Sequence, residues 1–429
     1  MNRLRSYVWM VCLLCISVLG GSCSREVVST PDGGAEGIRV EAGSLRIVLS
    51  TPSPDAVVNP GSRADGETAA ALHEVQEWTV KKLGVYIFMA STPSAGDANY
   101  RLVKKKEGIT FGAAGTPGVS GTAMGNGEYS YTEMLEKYMI SNYLKVLLVA
   151  NEGTELGTAD ADGTSGTTLA DFKKLVSGAV LGDSDSQSAD KISGGAYTGE
   201  SDLTDGAYTG LVMSGTAMKG SSEEINLASP ASLELEATLT RIVARIDICL
   251  NKKGLTLKKA VLRTTARKAY IFPQTGTDAA EGLMLSHPLL PVSKYTEQLG
   301  DGKPGIAYQE PASDTEAEEV TRDRNTLKHV FYLYEQVNDN SSCAAVEVTY
   351  TLANADGVEQ TGVLEIPFRE TTTEGDYVNT TRNYLYTVEL GDGSLDGEVN
   401  ARLVVQDWEP NEIYEFLPKD GEEVTEPEP

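Results

Sequence analysis

Residues Ala231–Leu250 read ASLELEATLTRIVARIDICL. In the first half Leu233, Leu235 and Ala237 take alternate positions between polar neighbours. In the second half Ile242, Ala244, Ile246 and Ile248 do the same. Apolar residues at period two define a half-buried strand, whereas a helix would space them by three and four. The preceding stretch, LVMSGTAMKGSSEEINLASP at Leu211–Pro230, reads as a boundary after which the strand pattern restarts.

Downstream of this stretch the same signal repeats at LTLKKAVLRTT, HVFYLYEQV, AAVEVTYTLA, QTGVLEIPF, NYLYTVEL and EVNARLVVQDW. Short strands at even spacing with turn residues between them point to a sandwich or barrel. Upstream, IRVEAGSLRIVLS places Ile38, Val40, Leu45, Ile47 and Leu49 in partial alternation. Leu83, Val85, Ile87 and Met89 form the core face of a second strand, and YLKVLLVANEG forms a third. Leu169, Phe172, Leu175 and Val176 fall at helical spacing and predict one short helix packed on a sheet. The glycine-rich stretches GITFGAAGTPGVSGTAMGNGEYSY and GDSDSQSADKISGGAYTGESDLTDGAYTG read as long loops. The pentapeptide GAYTG occurs in the second stretch at Gly195–Gly199 and at Gly206–Gly210, as a local duplication.

At 429 residues the chain exceeds one ordinary core, so two domains are expected. Lys and Arg number 36 against 62 Asp and Glu, a formal charge of −26. Such a surface speaks against nucleic acid, which needs basic groups, and suits an exposed extracellular protein. The N-terminus carries Arg3 and Arg5, then the uncharged apolar run Tyr7–Gly21, then Cys23. That run is short for a spanning helix and fits a signal region. Residues 1–22 are therefore read as a bacterial lipoprotein signal peptide, with Cys23 as the lipidated residue. Leu19 stands four positions before the cysteine, where the usual box has three. Cys12 and Cys15 lie in the signal, and Cys249 and Cys343 are read as free thiols.

No constellation of catalytic residues emerges. His73, His287 and His329 have no histidine or cysteine neighbour at metal spacing, so no metal is expected. There is no G-x-S-x-G, and the glycine-rich run at residues 112–127 lacks the Gly-Lys-Ser/Thr ending of a phosphate cradle. DADGTSG at Asp160–Gly166 resembles the start of a calcium loop without its terminal acid, and reads as a solvated turn. No cofactor and no enzymatic activity are expected. The chain reads as one that binds or assembles.

Three patches, TLTRIVARIDICL, LKVLLVANEG and TRNYLYTVELGDGS…NARLVVQDW, together resemble the fimbrillins of Bacteroidales, the lipoprotein subunits of major and minor fimbriae. The resemblance runs over nearly the whole chain after the signal. It implies an all-β protein of two tandem transthyretin-like sandwich domains. On this chain these are a tether at residues 23–37, an N-terminal domain at 38–225, a C-terminal domain at 226–417 and a disordered acidic tail at 418–429. It implies an outer-membrane lipoprotein that becomes part of a cell-surface fimbrium. An arginine-specific surface protease would cut between Arg63 and Ala64, in a segment kept irregular by Pro54, Pro60 and Gly61. An edge strand carrying Leu45, Ile47 and Leu49 would leave. A strand from another subunit, of the same or a different kind, would fill the vacancy. Leu403, Val405, Ile413, Tyr414 and Phe416 are the candidate donor residues. The alternative within the same resemblance is a tip or accessory adhesin, or a membrane anchor subunit, that does not polymerise. An adhesin would meet a host protein or glycan through the loops at residues 110–132 and 194–210.

Overall fold

The computed structural model describes residues 41–51, 77–114, 116, 118–125, 127–177, 210–226, 231–266, 269–274, 306–354, 356–369, 375–391, 399–407 and 413–414. Twenty strands run through them. The first ten are β1 (Glu41–Ser50), β2 (Leu83–Ala90), β3 (Arg101–Ile109), β4 (Phe111–Gly112), β5 (Gly121–Gly125), β6 (Glu128–Glu136), β7 (Tyr143–Ala150), β8 (Met213–Ala217), β9 (Ile225–Asn226) and β10 (Ala231–Thr238). The remainder are β11 (Thr240–Arg241), β12 (Val243–Leu250), β13 (Leu255–Arg263), β14 (Ile306–Ala307), β15 (Thr326–Tyr334), β16 (Ala345–Ala353), β17 (Glu359–Pro367), β18 (Tyr384–Leu390), β19 (Ala401–Asp407) and β20 (Ile413–Tyr414). Two short helices, α1 (Leu169–Lys173) and α2 (Glu318–Arg324), accompany them. The protein is all-β, as its alternation requires.

The strands form four sheets. Their orders are β10-β1-β6-β5-β4, β11-β8-β7-β2-β3 with β9 beside β7, β15-β12-β18-β19-β20, and β14-β13-β16-β17. The first two sheets enclose one apolar core, built from Leu45, Ile47 and Leu49 of β1, Leu235 of β10, Val85 and Ile87 of β2, and Val146 and Leu148 of β7. The other two enclose a second core around Ile246, Ile248, Leu257, Val348 and Val388. That second core continues without a break onto the back of β2 and β7, through Tyr86, Phe88, Leu147 and Val149.

This continuity explains why β2 is buried on both faces, where alternation predicted one. Phe172 of α1 lies over its back, 4.7 Å from the Tyr86 ring and 5.1 Å from the Phe88 ring. Thr168 caps α1 by accepting from Asp171 N at 3.0 Å. The helix stops at Lys173, short of the predicted Val176. There the chain turns to pair with residues 269–271, through Ser177 N to Ala269 O and Ile271 N to Leu175 O, both 2.9 Å.

Two further expectations give way. The change from the first pair of sheets to the second falls between Arg241 and Val243, not at 225/226, because β10 pairs with β1 and β11 with β8. The stretch read as a long loop from Gly108 carries β4, β5 and the start of β6. Gly121 serves close packing: a Cβ there would sit 2.4 Å from the Phe111 ring and 3.0 Å from Ser130 O.

Candidate functional site: the seat of the first strand

β1 is an inner strand, not the edge strand expected. It pairs parallel with β10 from Gly43↔Ala231 to Ser50↔Thr238. It pairs antiparallel with β6 from Glu41↔Glu136 to Ser50↔Glu128, with a bulge between Glu41 and Gly43. Among the described residues β10 and β6 have no ladder with each other, and β1 joins them. Sheets keep neighbouring strands about 4.8 Å apart, so the two partners stand about 10 Å from one another across β1.

The two faces of β1 differ in chemistry. Leu45, Ile47 and Leu49 point inward and are wholly buried. Ser44, Arg46, Val48 and Ser50 point outward. Ser44 donates its hydroxyl to Ser232 at 3.0 Å, and Arg46 forms an ion pair with Glu234, both partners on β10. At the end of the strand Leu239 N donates to Ser50 O at 2.8 Å and Thr51 N to Gly127 O at 3.0 Å. Beside this end lies an open cleft of about 510 Å³ bordered by Val48, Ser50, Glu128, Thr216 and Glu236. The strand therefore fills a slot with an apolar floor, two hydrogen-bonding walls and a polar lid.

The other predicted residues are distributed as follows. Cys23, Arg63, Ala64 and Phe416 lie outside the described residues. Leu403 and Val405 are buried in β19, which pairs with β18 from Tyr384↔Asp407 to Leu390↔Ala401. Ile413 and Tyr414 form β20 at the edge of the same sheet, opposite Gln406 and Val405. The fully buried carboxylate of Glu389 on β18 accepts from Arg402 Nε of β19; Arg322 of α2 pairs with its other oxygen. The contact loop proposed at 110–132 is largely strand, and residues 194–209 lie outside the described set. Asp160 accepts from the backbone N–H of Asp162, Thr164 and Ser165 and from the hydroxyls of Thr164 and Ser165, so it closes its own turn. The bonds from Ser165, ahead of the others, hold its carboxyl below the usual range. Among the described residues no three His, Cys, Asp or Glu side chains gather at metal-ligand distance. Besides the inner position of β1, sequence reasoning missed Glu234, and the alternation of β10 gave its outward side but not its partner.

No family model matches the chain, and no curated protein matches it. Solved structures do resemble it in outline. The tip fimbrial protein Mfa3 from Porphyromonas gingivalis aligns with 11% identity and a TM-score of 0.44, over 85% of this chain and 99% of its own. A Parabacteroides distasonis protein provisionally assigned to cell adhesion aligns with 14% identity and a TM-score of 0.42, over 87% and 99%. The fimbrial anchor protein Mfa2 from Porphyromonas gingivalis aligns with 10% identity and a TM-score of 0.31, over 85% and 98%.

Proposed function

We propose that the chain is a structural subunit of a cell-surface fimbrium that assembles by strand exchange at the β1 slot. It is exported as an outer-membrane lipoprotein through Cys23. An arginine-specific surface protease adds water across the Arg63–Ala64 bond. β1 departs with the segment before it, and a strand of another subunit takes its place. No catalytic role and no cofactor belong to this reading.

The observation that carries the proposal is that, among the described residues, β1 alone joins β10 to β6. Its loss leaves two rows of unpaired backbone groups facing one another across an apolar floor, a template for an incoming strand. Refilling the three inward positions contributes about 5–9 kcal/mol, at roughly 1.5–3 kcal/mol for each buried side chain. While the chain is intact, β1 competes from within at an effective concentration on the order of millimolar, which holds other strands out.

The donor favoured by the sequence is β19, which to donate must leave its ladder with β18 and the Arg402–Glu389 pair. ARLVVQ at Ala401–Gln406 matches LRIVLS at Leu45–Ser50 position by position: Arg402 for Arg46, Leu403 for Ile47, Val404 for Val48 and Val405 for Leu49. The exception is Ala401 for Leu45. Laid into the slot in that register, and in the direction of β1, Arg402 meets Glu234.

The two-sided pairing of β1 favours a second reading as well. A strand bonded along both edges is a good permanent member of a sheet, as in a tip, adhesin or anchor subunit that does not polymerise. An Arg63→Ala chain separates the two. In negative-stain images after trypsin-like cleavage, the wild type should form filaments and the variant none. Filaments from the variant, or none from either, would reject the subunit reading.

A further inference from the structure

Glu77 is among the most buried acids of the protein, and its partners come from both pairs of sheets. Its carboxylate accepts from Arg245 Nη1 of β12 at 2.9 Å and from the Tyr332 hydroxyl of β15. Its backbone carbonyl accepts from Arg241 Nε of β11 at 2.9 Å. Arg241 then reaches Asn383 Oδ1 at 2.9 Å, and Arg245 reaches Asp247 Oδ2 at 3.0 Å. Residues Thr79–Lys82 are held from the other side. Asn151, at the end of β7 with φ +61°, donates to Thr79 O at 2.9 Å and accepts from Lys81 N at 2.8 Å and Lys82 N at 3.3 Å. Tyr129 of β6 accepts from Val80 N at 3.1 Å.

Two sequence patches far apart in the chain thus meet this short stretch directly, and a third joins them through Arg241. They contribute Asn151, then Arg241 and Arg245, then Asn383. We infer that Glu77–Lys82 is the fixed fastening of the polypeptide to both pairs of sheets, the point at which any change begun in the connector after β1 stops. The argument rests on buried charge. Withdrawing Glu77 would leave the Arg245 guanidinium in the interior with one carboxylate instead of two, and Arg241 without its carbonyl. Stranding buried charge in this way is among the costliest changes a fold can suffer. β1, by contrast, is held by apolar contacts, ladders and one surface ion pair, none of which strands a charge in the interior when it goes. A release begun ahead of Glu77 therefore stops there.

The inference stands whether or not β1 is exchanged, and proteolysis tests it separately. The full chain is digested with thermolysin or trypsin, and the resistant core is sized by intact mass. In the wild type the core should begin at or before Glu77, with the bonds after Lys81 and Lys82 uncut. Glu77→Ala should yield cores beginning at Leu83 or later at least tenfold faster. Should that variant not fold, Glu77→Gln and Tyr332→Phe should shift the same boundary in smaller steps, with the Arg63→Ala chain retaining the wild-type boundary. A wild-type core that starts beyond Lys82, or variants that keep both boundary and rate, would overturn the inference.

Discussion

The slot makes a sharp prediction about adjacent residues of one strand. Ile47 is wholly buried beneath β1, and Arg46 stands beside it on the outer face. Truncating a buried isoleucine to alanine costs about 2–5 kcal/mol, the transfer of its methyl groups plus the cavity left behind. The Arg46–Glu234 pair is half exposed on both sides, at 50% and 56%, so its removal costs about 0.2–1 kcal/mol and less in salt. The assay is a chain nicked in the connector and mixed with a labelled peptide of residues 41–50, whose uptake reports how firmly the resident strand is seated. At 1.4 kcal/mol per factor of ten, Ile47→Ala should raise uptake about 30- to 4,000-fold. Arg46→Ala should raise it about fivefold or less. Equal effects at the two positions would refute the reasoning, because then the alternation of β1 would not decide what holds it. An unchanged Ile47→Ala would refute the slot itself.

Three other outcomes follow from the same geometry. If β19 enters the slot in the register of β1, Glu234→Arg should weaken filament formation without abolishing it, and Arg402→Glu should restore it when the two are mixed, read by sedimentation. Glu389→Gln removes the carboxylate that holds β19 to β18 and α2. A fully buried pair would lose about 3–5 kcal/mol, but both arginines reach water, so about 1–3 kcal/mol is expected, seen as faster amide exchange confined to β19 and its neighbours. In alkali, burial pushes Tyr386 up to about 12, and it raises Tyr86, Tyr100, Tyr131 and Tyr334 as well. An unfolded tyrosine loses its proton near pH 10 while these keep theirs, so the unfolded state binds fewer protons and stability must fall as pH rises above about 10. Tyrosinate absorbance should therefore rise in two phases, the second coinciding with loss of the circular dichroism of the fold.

Most strands were legible because their pattern is local. Period two in residues 44–50 and 231–238 fixes both the strand and its inner face, whatever it pairs with, whereas residues 243–250 alternate as well and are buried on both faces. Pairing is another matter. β1 and β10 lie in parallel register across 188 residues of separation, as at Ser44 and Ser232, and no feature of either stretch names the other. The sequence pattern therefore places the boundary before β10, whereas pairing places it after β11. Gly121 misled for a related reason. In sequence it reads as loop chemistry, while in the fold its missing side chain is the space that the Phe111 ring occupies. The candidate slot was half legible. Leu45, Ile47 and Leu49 announce a buried strand, but whether that strand sits inside its sheet or at the edge depends on β10.

The inner position changes what cleavage would accomplish on the proposed reading. Cutting after Arg63 removes no contact of β1: the Leu45, Ile47 and Leu49 floor, both ladders and the Arg46–Glu234 pair remain as they were. What it removes is the covalent tie that keeps the strand at high local concentration. An edge strand could be displaced by fraying from its free side, whereas β1 must release β10 and β6 together, or one after the other with its inward side chains half exposed. A cut chain should therefore persist with its own strand in place and exchange slowly until a competing strand is presented at high concentration. Order of assembly would then be set by where subunits are crowded together, and not by the moment of cleavage.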